Sequence, residues 1–352
     1  MKKSTIALVI ILTALLALIL NVFVGGYIKA KISQIPQLAR FDFLNPDAPI
    51  VITRREVVTA DDGTHILDAI NNSRSKMAAV VAVTNGQTVR TGNAVNITSD
   101  GSFVTTSTAF AAPQPATYAV ILSDGRIAPV EERVTDPATD LVFFKANVDN
   151  IPVASFGSSR ELTVGQRVVM IEQTLRDFTP IATPVFVTVS QHDTYEQEYE
   201  ANKPSRTYGI ENVTYAVSGA AIVTLSGDIV GMSDAHRLIA GDVMKQSISL
   251  YLANELKRPD FGFAYDLIST VRGKLLGLPE GVRVLRVAGS SAADKAGLQG
   301  NDIITAIGEQ KVAGDVSFEE TLENYGVGDT VAFTVTRGQK TLILNVTTTE
   351  LK

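Results

Sequence analysis

The stretch TYAVSGAAIVTLSGDIVGMSDA, residues 214–235, places Ser218 in a turn of small residues between apolar runs. Apolar runs this short, separated by turn residues such as those at 226–228, predict β-strands joined by hairpins. A serine in such a turn is a candidate nucleophile. Because a serine hydroxyl is a weak nucleophile until a base removes its proton, the question is whether the chain places a base beside Ser218.

The β pattern extends over residues 78–255. Runs such as AVNITSDGSFVTT, LVFFKAN, RVVMIEQT and TPVFVTVSQ are short and apolar, and hairpin-type turns are predicted at 99–101 and 123–125. Regular short strands without intervening helices predict a barrel or a sandwich. A short helix is predicted over 66–72, and the segment GDVMKQSISLYLANELKR is predicted to be helical as far as Leu256.

A smaller module follows Arg258 and Pro259. Strand-like runs FGFAYDLI, VRVLRVA, DIITAIG, TVAFTVTRG and KTLILNVTT alternate there with two short helical segments, and the tail VTTTELK is predicted to be a strand. One helical segment is SSAADKAG. The other is predicted to begin at Ser317, because Ser317 and Glu320 fit a capping box. This alternation predicts an α+β module.

Composition excludes several kinds of site. The chain is 45% hydrophobic and 19% charged, which is typical of globular proteins. Its length of 352 residues is enough for two or three domains. The absence of cysteine excludes disulfides, thiolate metal sites and cysteine nucleophiles. A net charge of −6 gives no basic footprint, so a nucleic-acid partner is not expected.

The first thirty residues have the pattern of an uncleaved signal anchor. After Met1, Lys2 and Lys3, the segment from Thr5 to Ile28 carries no charge, which is long enough to cross a bilayer. No small-residue cleavage site follows it. Lysines flank the segment on both sides, so charge alone leaves the orientation open.

Three successive stretches, TSDGSFVTTSTAF, DPATDLVFFKAN and the serine stretch, resemble trypsin-fold proteases of the HtrA/DegP type. The module with FGF and GSSAADKAGLQGNDIITAIGEQKV resembles the PDZ domain of that family. The similarity covers residues 65–350 and implies a mostly β fold, in which a double six-stranded β-barrel precedes an α+β PDZ domain. The predicted parts are a transmembrane anchor (1–30), a tether (31–64), a protease-like domain (65–256) and a PDZ domain (257–352).

The resemblance carries a catalytic triad onto three positions. Serine proteases of this fold use a serine nucleophile, an imidazole base and a carboxylate that orients the imidazole. The serine falls on Ser218, the carboxylate on Asp140 and the histidine position on Thr108. A threonine hydroxyl does not accept a proton at neutral pH, so we predict a degenerate triad. With no imidazole to orient, Asp140 is expected to brace its loop by accepting hydrogen bonds from backbone N–H groups or, as a second hypothesis, from the Thr108 hydroxyl. The alternative interpretation of Ser218 is a small residue inherited with the turn.

The oxyanion-hole region departs from the family as well. The glycine two residues before the serine is Ala216 here, and the asparagine before the serine is Val217. A side chain at the glycine position hinders the backbone conformation that presents the N–H donor. His192 is the candidate for a replacement base, because loops at that end of the barrel approach the active site in the family. The expected interpretation of His192 is nevertheless a solvent-facing loop residue, and His65 and His236 are expected at the surface.

The PDZ resemblance implies peptide binding. Such domains add a peptide as an extra strand to a sheet edge, and a loop of backbone N–H groups holds its terminal carboxylate. PDFGF matches the carboxylate-binding loop, and the helix from Ser317 forms the other wall of the groove. The alternative is that the aromatic residue of this helix belongs to the core. The residues predicted to bind peptide are Phe261, Gly262, Phe263, Phe318 and Leu322.

Three hypotheses for the function follow. The first is a membrane-anchored HtrA-like pseudoprotease that binds C-terminal peptides or unfolded polypeptides. The second is an active serine endopeptidase of envelope protein quality control that uses a recruited base, and the third is a structural partner of an active paralogue in a mixed oligomer. The resemblance also implies a homo-oligomer, trimeric in the family. A single-pass membrane protein with extracytoplasmic soluble domains is expected, with no cofactor and no metal.

Overall fold

The computed structural model describes residues 62–173, 180–190, 198–203, 208–211, 218–234, 238–312 and 315–351. The predicted anchor, residues 1–30, lies outside these ranges, as do residues 31–61 of the predicted tether. Among the residues that are described, no helix combines the length and the apolarity needed to span a bilayer. Helix α1 (Asp62–Arg74) begins earlier than the predicted 66–72.

A closed antiparallel barrel forms the first half of the structure, and its strands follow the order β1-β2-β3-β6-β5-β4. The strands are β1 (Met77–Thr84), β2 (Gln87–Asn96), β3 (Ser102–Thr106), β4 (Thr117–Leu122), β5 (Ile127–Thr135) and β6 (Leu141–Ala146). The predicted turns are confirmed at Gly101 and Gly125, whose φ angles of 91° and 86° suit glycine. Phe103 stacks on Phe144 inside the barrel at 5.2 Å between ring centroids.

A second sheet has the order β10-β8-β7-β11-β12-β13. In chain order the elements are β7 (Arg167–Gln173), β8 (Pro180–Ser190), β9 (Tyr199–Glu200), β10 (Tyr208–Ile210), β11 (Ala221–Val223), β12 (Ile229–Ser233) and β13 (Leu238–Ala240). Strand β9 leaves this sheet and joins another. One apolar core runs from the second sheet into the barrel, since it includes Val104 and Phe143 of the barrel strands.

Helix α2 (Gly241–Leu252) closes the protease-like part and is shorter than predicted. The helix was expected to continue to Leu256, but Asn254 takes a φ of 58°. This left-handed residue turns the chain, which is a common way for a helix to end. Tyr251, in the last turn, stacks on Phe143 with 4.5 Å between ring centroids, so the helix packs on the barrel core.

The C-terminal module has a sheet of order β20-β19-β17-β16-β15-β9, with β18 beside β17 and a separate β14–β21 pair. Its strands are β14 (Pro259–Asp260), β15 (Phe263–Ile268), β16 (Gly281–Val287), β17 (Ile303–Ile307), β18 (Gln310–Lys311), β19 (Thr330–Arg337), β20 (Lys340–Thr347) and β21 (Thr349–Glu350). Its helices are α3 (Thr270–Leu276), α4 (Ala292–Lys295) and α5 (Asp315–Leu322).

Two helix predictions in this module were wrong. Helix α3 was not expected, because its segment is short, contains a glycine and leaves apolar residues exposed. The structure stabilises it with a cap at each end: the hydroxyl of Ser269 accepts from the N–H of Arg272, and Gly277 is left-handed. Helix α5 begins at Asp315, so Ser317 lies inside the helix and is not its cap.

A buried ion pair joins the two modules. Arg258, immediately before β14, donates to both carboxylate oxygens of Asp136, to Oδ1 at 3.1 Å and to Oδ2 at 2.6 Å, and to the Ser247 hydroxyl of α2 at 2.8 Å. The backbone oxygen of Arg258 also accepts from the N–H of Leu351 at 2.8 Å. The Asp136 side chain is fully buried, so this one guanidinium ties the barrel, α2 and the C-terminal module together.

The ion pair makes folding pH-dependent. Burial by itself would raise the pKa of Asp136, but the hydrogen bonds and charge of Arg258 outweigh it and lower the pKa below its ordinary 3.8. The ionised carboxylate therefore contributes stability above about pH 4, and that stability is lost as the pH falls through the lower folded pKa. We expect urea denaturation from pH 6 to pH 2.5 to show a smaller acid-induced loss for Asp136→Asn than for the wild type. An equal fall in the free energy of unfolding with pH in the two proteins would contradict this prediction. The control is Asp124→Asn, because Asp124 belongs to an exposed ion pair.

Candidate functional site

The Ser218 turn is locked to both neighbouring strands. Gly219 takes a φ of +75° and its N–H donates to the carbonyl oxygen of Ser233 at 2.8 Å. The carbonyl oxygen of Ser218 accepts from the N–H of Asn93 at 2.8 Å. Ser218 is 8% exposed, and no described residue hydrogen-bonds to its hydroxyl. The turn thus joins the first barrel to the second sheet and holds the serine where they meet.

Thr108 lies in a 3₁₀ turn, Ser107–Phe110, directly after β3. Its neighbour Ala109 packs against Gly92, where an added Cβ would lie 2.7 Å from the Ala109 Cβ and 2.9 Å from the carbonyl oxygen of Ser218. Such contacts require glycine at position 92, since real side chains do not approach so closely. The fold therefore brings the turn that contains Thr108, the predicted histidine position, close to the serine turn.

Asp140 is held under the same 3₁₀ turn. Its carbonyl oxygen accepts from the N–H of Ser107 at 2.9 Å, and its N–H donates to the carbonyl oxygen of Asp136 at 3.0 Å. Asp140 takes a φ of 61°, a left-handed conformation that aspartate tolerates better than most residues. The three triad positions, 108, 140 and 218, are thus brought together from three separate segments.

The Thr108 hydroxyl binds a carboxylate that was not predicted. It donates to Oδ1 of Asp234 at 2.6 Å, and its oxygen lies 2.9 Å from the Thr106 hydroxyl. A hydroxyl has one proton to donate, so the Thr108 proton goes to Asp234 and Thr106 donates to Thr108. The predicted hydrogen bond from Thr108 to Asp140 was therefore wrong.

Asp234 is the residue of the site that the sequence interpretation missed. It follows β12, is 8% exposed and lies one residue beyond Ser233, whose carbonyl oxygen holds the serine turn. The signal was present in GMSDA, because a hairpin of two short strands returns the chain to its starting point. A charged residue at the end of the second strand therefore has to lie near Ser218.

The arrangement contains no described imidazole near the serine. His65 is exposed on α1, and the other two histidines, His192 and His236, lie outside the described residues. Ala216 and Val217 of the predicted oxyanion-hole region also lie outside them. Within the described residues no group of histidine, cysteine or carboxylate side chains could hold a metal ion. What the described site offers is the Ser218 turn, held by the carbonyl oxygen of Ser233, and the next residue, Asp234, which accepts a hydrogen bond from Thr108.

The predicted carboxylate-binding loop has its side chains in the core of the C-terminal module. Phe261 and Phe263 are buried, and both pack near Phe333. Gly262 has a φ of +75°, and a Cβ there would lie 2.1 Å from the Cβ of Ser291, so only glycine fits. The part of this loop that a ligand can use is its backbone.

The predicted groove residues of α5 are buried too. Phe318 is fully buried and meets the ring of Tyr265 edge to face at 4.8 Å between centroids. Leu322 belongs to the same buried cluster, which also contains Tyr199 of β9. Phe318 is therefore a core residue, as the alternative interpretation held, and the cluster under the groove includes a residue from the protease-like part.

Two family models match the chain. The trypsin-like peptidase domain matches residues 43–232, which is more than half of the sequence, and the PDZ domain matches residues 255–348. The first match includes Thr108, Asp140 and Ser218, and the second includes the loop at Gly262.

Curated relatives are serine proteases of the HtrA type. Putative serine protease HhoB of Synechocystis sp. is 24% identical over 279 residues, which cover 73% of this chain and 65% of that protein. Serine protease Do-like HtrA of Lactococcus lactis subsp. cremoris is 27% identical over 257 residues, covering 64% of this chain and 62% of that protein. The chain thus spans less than two thirds of the length of these relatives.

Solved structures share the fold. A structure of the HtrA-type protease AlgW with a decapeptide has a TM-score of 0.62 at 17% identity and covers 82% of this chain and 99% of that one. The serine endoprotease from Yersinia pestis gives a TM-score of 0.55 at 15% identity, with coverages of 82% and 98%. From the matched domains and the mostly β architecture, we conclude that the chain belongs to the trypsin-like peptidase domain family, as an HtrA/DegP-type member with a PDZ domain.

Proposed function

We propose that this protein is a membrane-anchored, HtrA-like pseudoprotease that binds polypeptides through its PDZ domain and does not cleave them. The observation that carries the proposal is the Thr108 hydroxyl, which donates its proton to Asp234 at 2.6 Å. The sequence resemblance aligns this residue with the family's imidazole. A hydroxyl committed as a donor in this way is not a base for Ser218. The fold is retained while the group that drives acyl transfer is replaced.

The missing base has a large kinetic cost. Attack by a serine needs its proton removed as the bond to the carbonyl carbon forms, and the same base then protonates the leaving amine. Loss of the imidazole from a serine protease lowers kcat by roughly 10⁶-fold, and what remains comes from oxyanion stabilisation and substrate binding. The alanine at position 216, where the family has glycine, acts in the same direction, because glycine lets the backbone present an oxyanion donor.

The PDZ domain supplies the binding activity. Strand β15 follows the Gly262 loop, and α5 lies on the other side of the groove, which is the arrangement that takes a peptide by strand addition. The AlgW structure contains a decapeptide, which supports a peptide as the class of ligand. The proposed ligand is the C-terminal end of a polypeptide or an extended segment of an unfolded chain.

Residues 1–30 are proposed as a single-pass anchor, with the soluble domains outside the cytoplasm. The test is to add a protease to intact and to permeabilised cells and to follow digestion of the soluble domains. Digestion in intact cells is expected, and protection in intact cells would reverse the proposed membrane orientation. The HtrA relatives support an oligomer, either a homotrimer or a mixed assembly with an active paralogue.

We expect an activated-serine phosphonate probe to leave the purified full-length protein unlabelled. The probe reacts with serine hydroxyls that a neighbouring base activates, and Thr108 cannot activate Ser218. The measurement is the fraction of protein labelled, by intact mass, beside an active HtrA-type protease as positive control.

The matched control is Ser218→Ala. Stoichiometric labelling of the wild type that disappears in this variant would overturn the pseudoprotease proposal and support a recruited base. Labelling that is equal in both proteins would mark reaction at another residue and leave the serine unactivated, as proposed.

A further inference from the structure

A segment of the protease-like part lies on the sheet of the PDZ domain. Strand β9 pairs antiparallel with β15, with Tyr199 opposite Tyr265 and Glu200 opposite Ala264. The pairing continues beyond the strand, because the N–H of Ala201 donates to the carbonyl oxygen of Phe263 at 3.0 Å. Residues 198–203 come from the charged stretch between β8 and β10, far in sequence from the PDZ domain.

This segment occupies the edge that a peptide would use. Strand β15 has two edges, and in the described sheet one pairs with β16 and the other with β9. A peptide that adds to β15 needs the second edge, because the first is inside the sheet. An external strand and β9 therefore cannot pair with β15 at the same time.

The segment also has the direction of a terminal peptide. From Tyr199 to Ala201 it runs toward the start of β15, where the Gly262 loop lies. Asn202 continues to that loop, and its side-chain amide donates to Oδ1 of Asp260 at 3.3 Å. Burial raises the pKa of the Asp260 carboxyl, although the Gly262 N–H and the Asn202 amide favour its ionised form. The Asp260 carboxyl of the chain itself thus interacts with the Gly262 N–H, the donor that the terminal carboxylate of a ligand would approach.

Side chains anchor the segment unevenly. Tyr199 is 8% exposed and its ring centroid lies 5.5 Å from that of Tyr265, in the same cluster as Phe318. The contact between Glu198 and Arg286 is an exposed ion pair and contributes little. The described contacts that hold the segment are thus one aromatic side chain, the hydrogen bond from Asn202 to Asp260 and a few backbone bonds. This is the scale of contact that a short peptide makes.

We propose that residues 198–203 act as an internal ligand of the PDZ domain, so that an external peptide binds only after displacing them. This inference rests on the proposed peptide-binding function and adds how the site is regulated. A tethered segment competes at about millimolar effective concentration. The apparent affinity for external peptides is then lower than the intrinsic affinity by the fraction of molecules with the edge open.

The test compares full-length wild type with Tyr199→Ser and, separately, Ala201→Pro. The first removes the buried anchor, and the second removes the N–H that donates to Phe263. Fluorescence anisotropy measures binding to randomised decapeptides with free C-terminal carboxylates and to the same peptides with C-terminal amides. We expect both variants to bind the free-carboxylate peptides at least tenfold more tightly than the wild type. The control, Glu131→Gln, changes an exposed residue of β5 in the first barrel and should bind like the wild type.

A second probe makes the two proposals separable. A labelled peptide of residues 195–204, acetylated and amidated, should bind the two variants and not the wild type. Equal peptide affinities in wild type and both variants would overturn the internal-ligand inference while retaining peptide binding. If no decapeptide binds the wild type or either variant, the proposed peptide-binding function fails. If the 195–204 peptide binds neither variant, the internal-ligand inference alone is overturned. Thermal melts of each variant identify any that does not fold, and the other then decides.

Discussion

Replacing Arg258 with methionine is expected to lower the free energy of unfolding by about 3–5 kcal/mol, the usual result of removing one partner of a buried ion pair. The loss is large because the Asp136 side chain is fully buried and both of its carboxylate oxygens accept hydrogen bonds from the guanidinium. Methionine matches the length of the arginine stem but offers no donor. The measurement is urea denaturation followed by circular dichroism at pH 7.

The control for this variant is Arg126→Met. Arg126 pairs with Asp124 at 2.8 Å, but both side chains are about half exposed, so the loss should be about 0–1 kcal/mol. The double variant Asp136→Leu with Arg258→Met should recover much of the stability, because the unpaired charge is then absent. A loss in Arg258→Met no larger than in Arg126→Met would show that the buried pair does not hold the two modules together.

Replacing Gly219 with alanine is expected to destabilise the fold by about 2–5 kcal/mol, the sum of two effects. A non-glycine residue at the left-handed φ of +75° costs about 1–2 kcal/mol. An added Cβ would also lie 1.9 Å from the carbonyl oxygen of Asn93, which is backbone and cannot rotate away. Relieving such overpacking costs about 1–3 kcal/mol more. The loss is measured by thermal and urea denaturation.

Gly125→Ala separates the two effects. Gly125 has a φ of +86°, but a Cβ there would meet nothing within 4 Å, so this variant reports backbone strain alone. We expect it to lose about 1–2 kcal/mol. If Gly219→Ala were no less stable than Gly125→Ala, the close contact between the serine turn and Asn93 would not exist in the protein.

Local pattern predicted much of the fold because strands and turns depend on neighbouring residues. The runs of alternating and apolar residues gave the strands of both modules, and the glycines at 101 and 125 marked real turns, since their φ angles are positive. The errors lay at helix ends and in α3, where capping by Ser269 and Gly277 outweighs a weak apolar pattern. Such boundaries depend on single side-chain contacts that periodicity does not report.

The sequence alone predicted the three triad positions, because Thr108, Asp140 and Ser218 lie in stretches that resemble the family. The tertiary structure decided their partners. Asp234 reaches Thr108 across 126 positions, and Arg258 reaches Asp136 across 122. Strand β9 joins the PDZ sheet more than sixty positions away from its partner. Pairings this distant depend on how whole sheets pack, because the groups that meet carry no periodicity or turn signal linking one segment to the other.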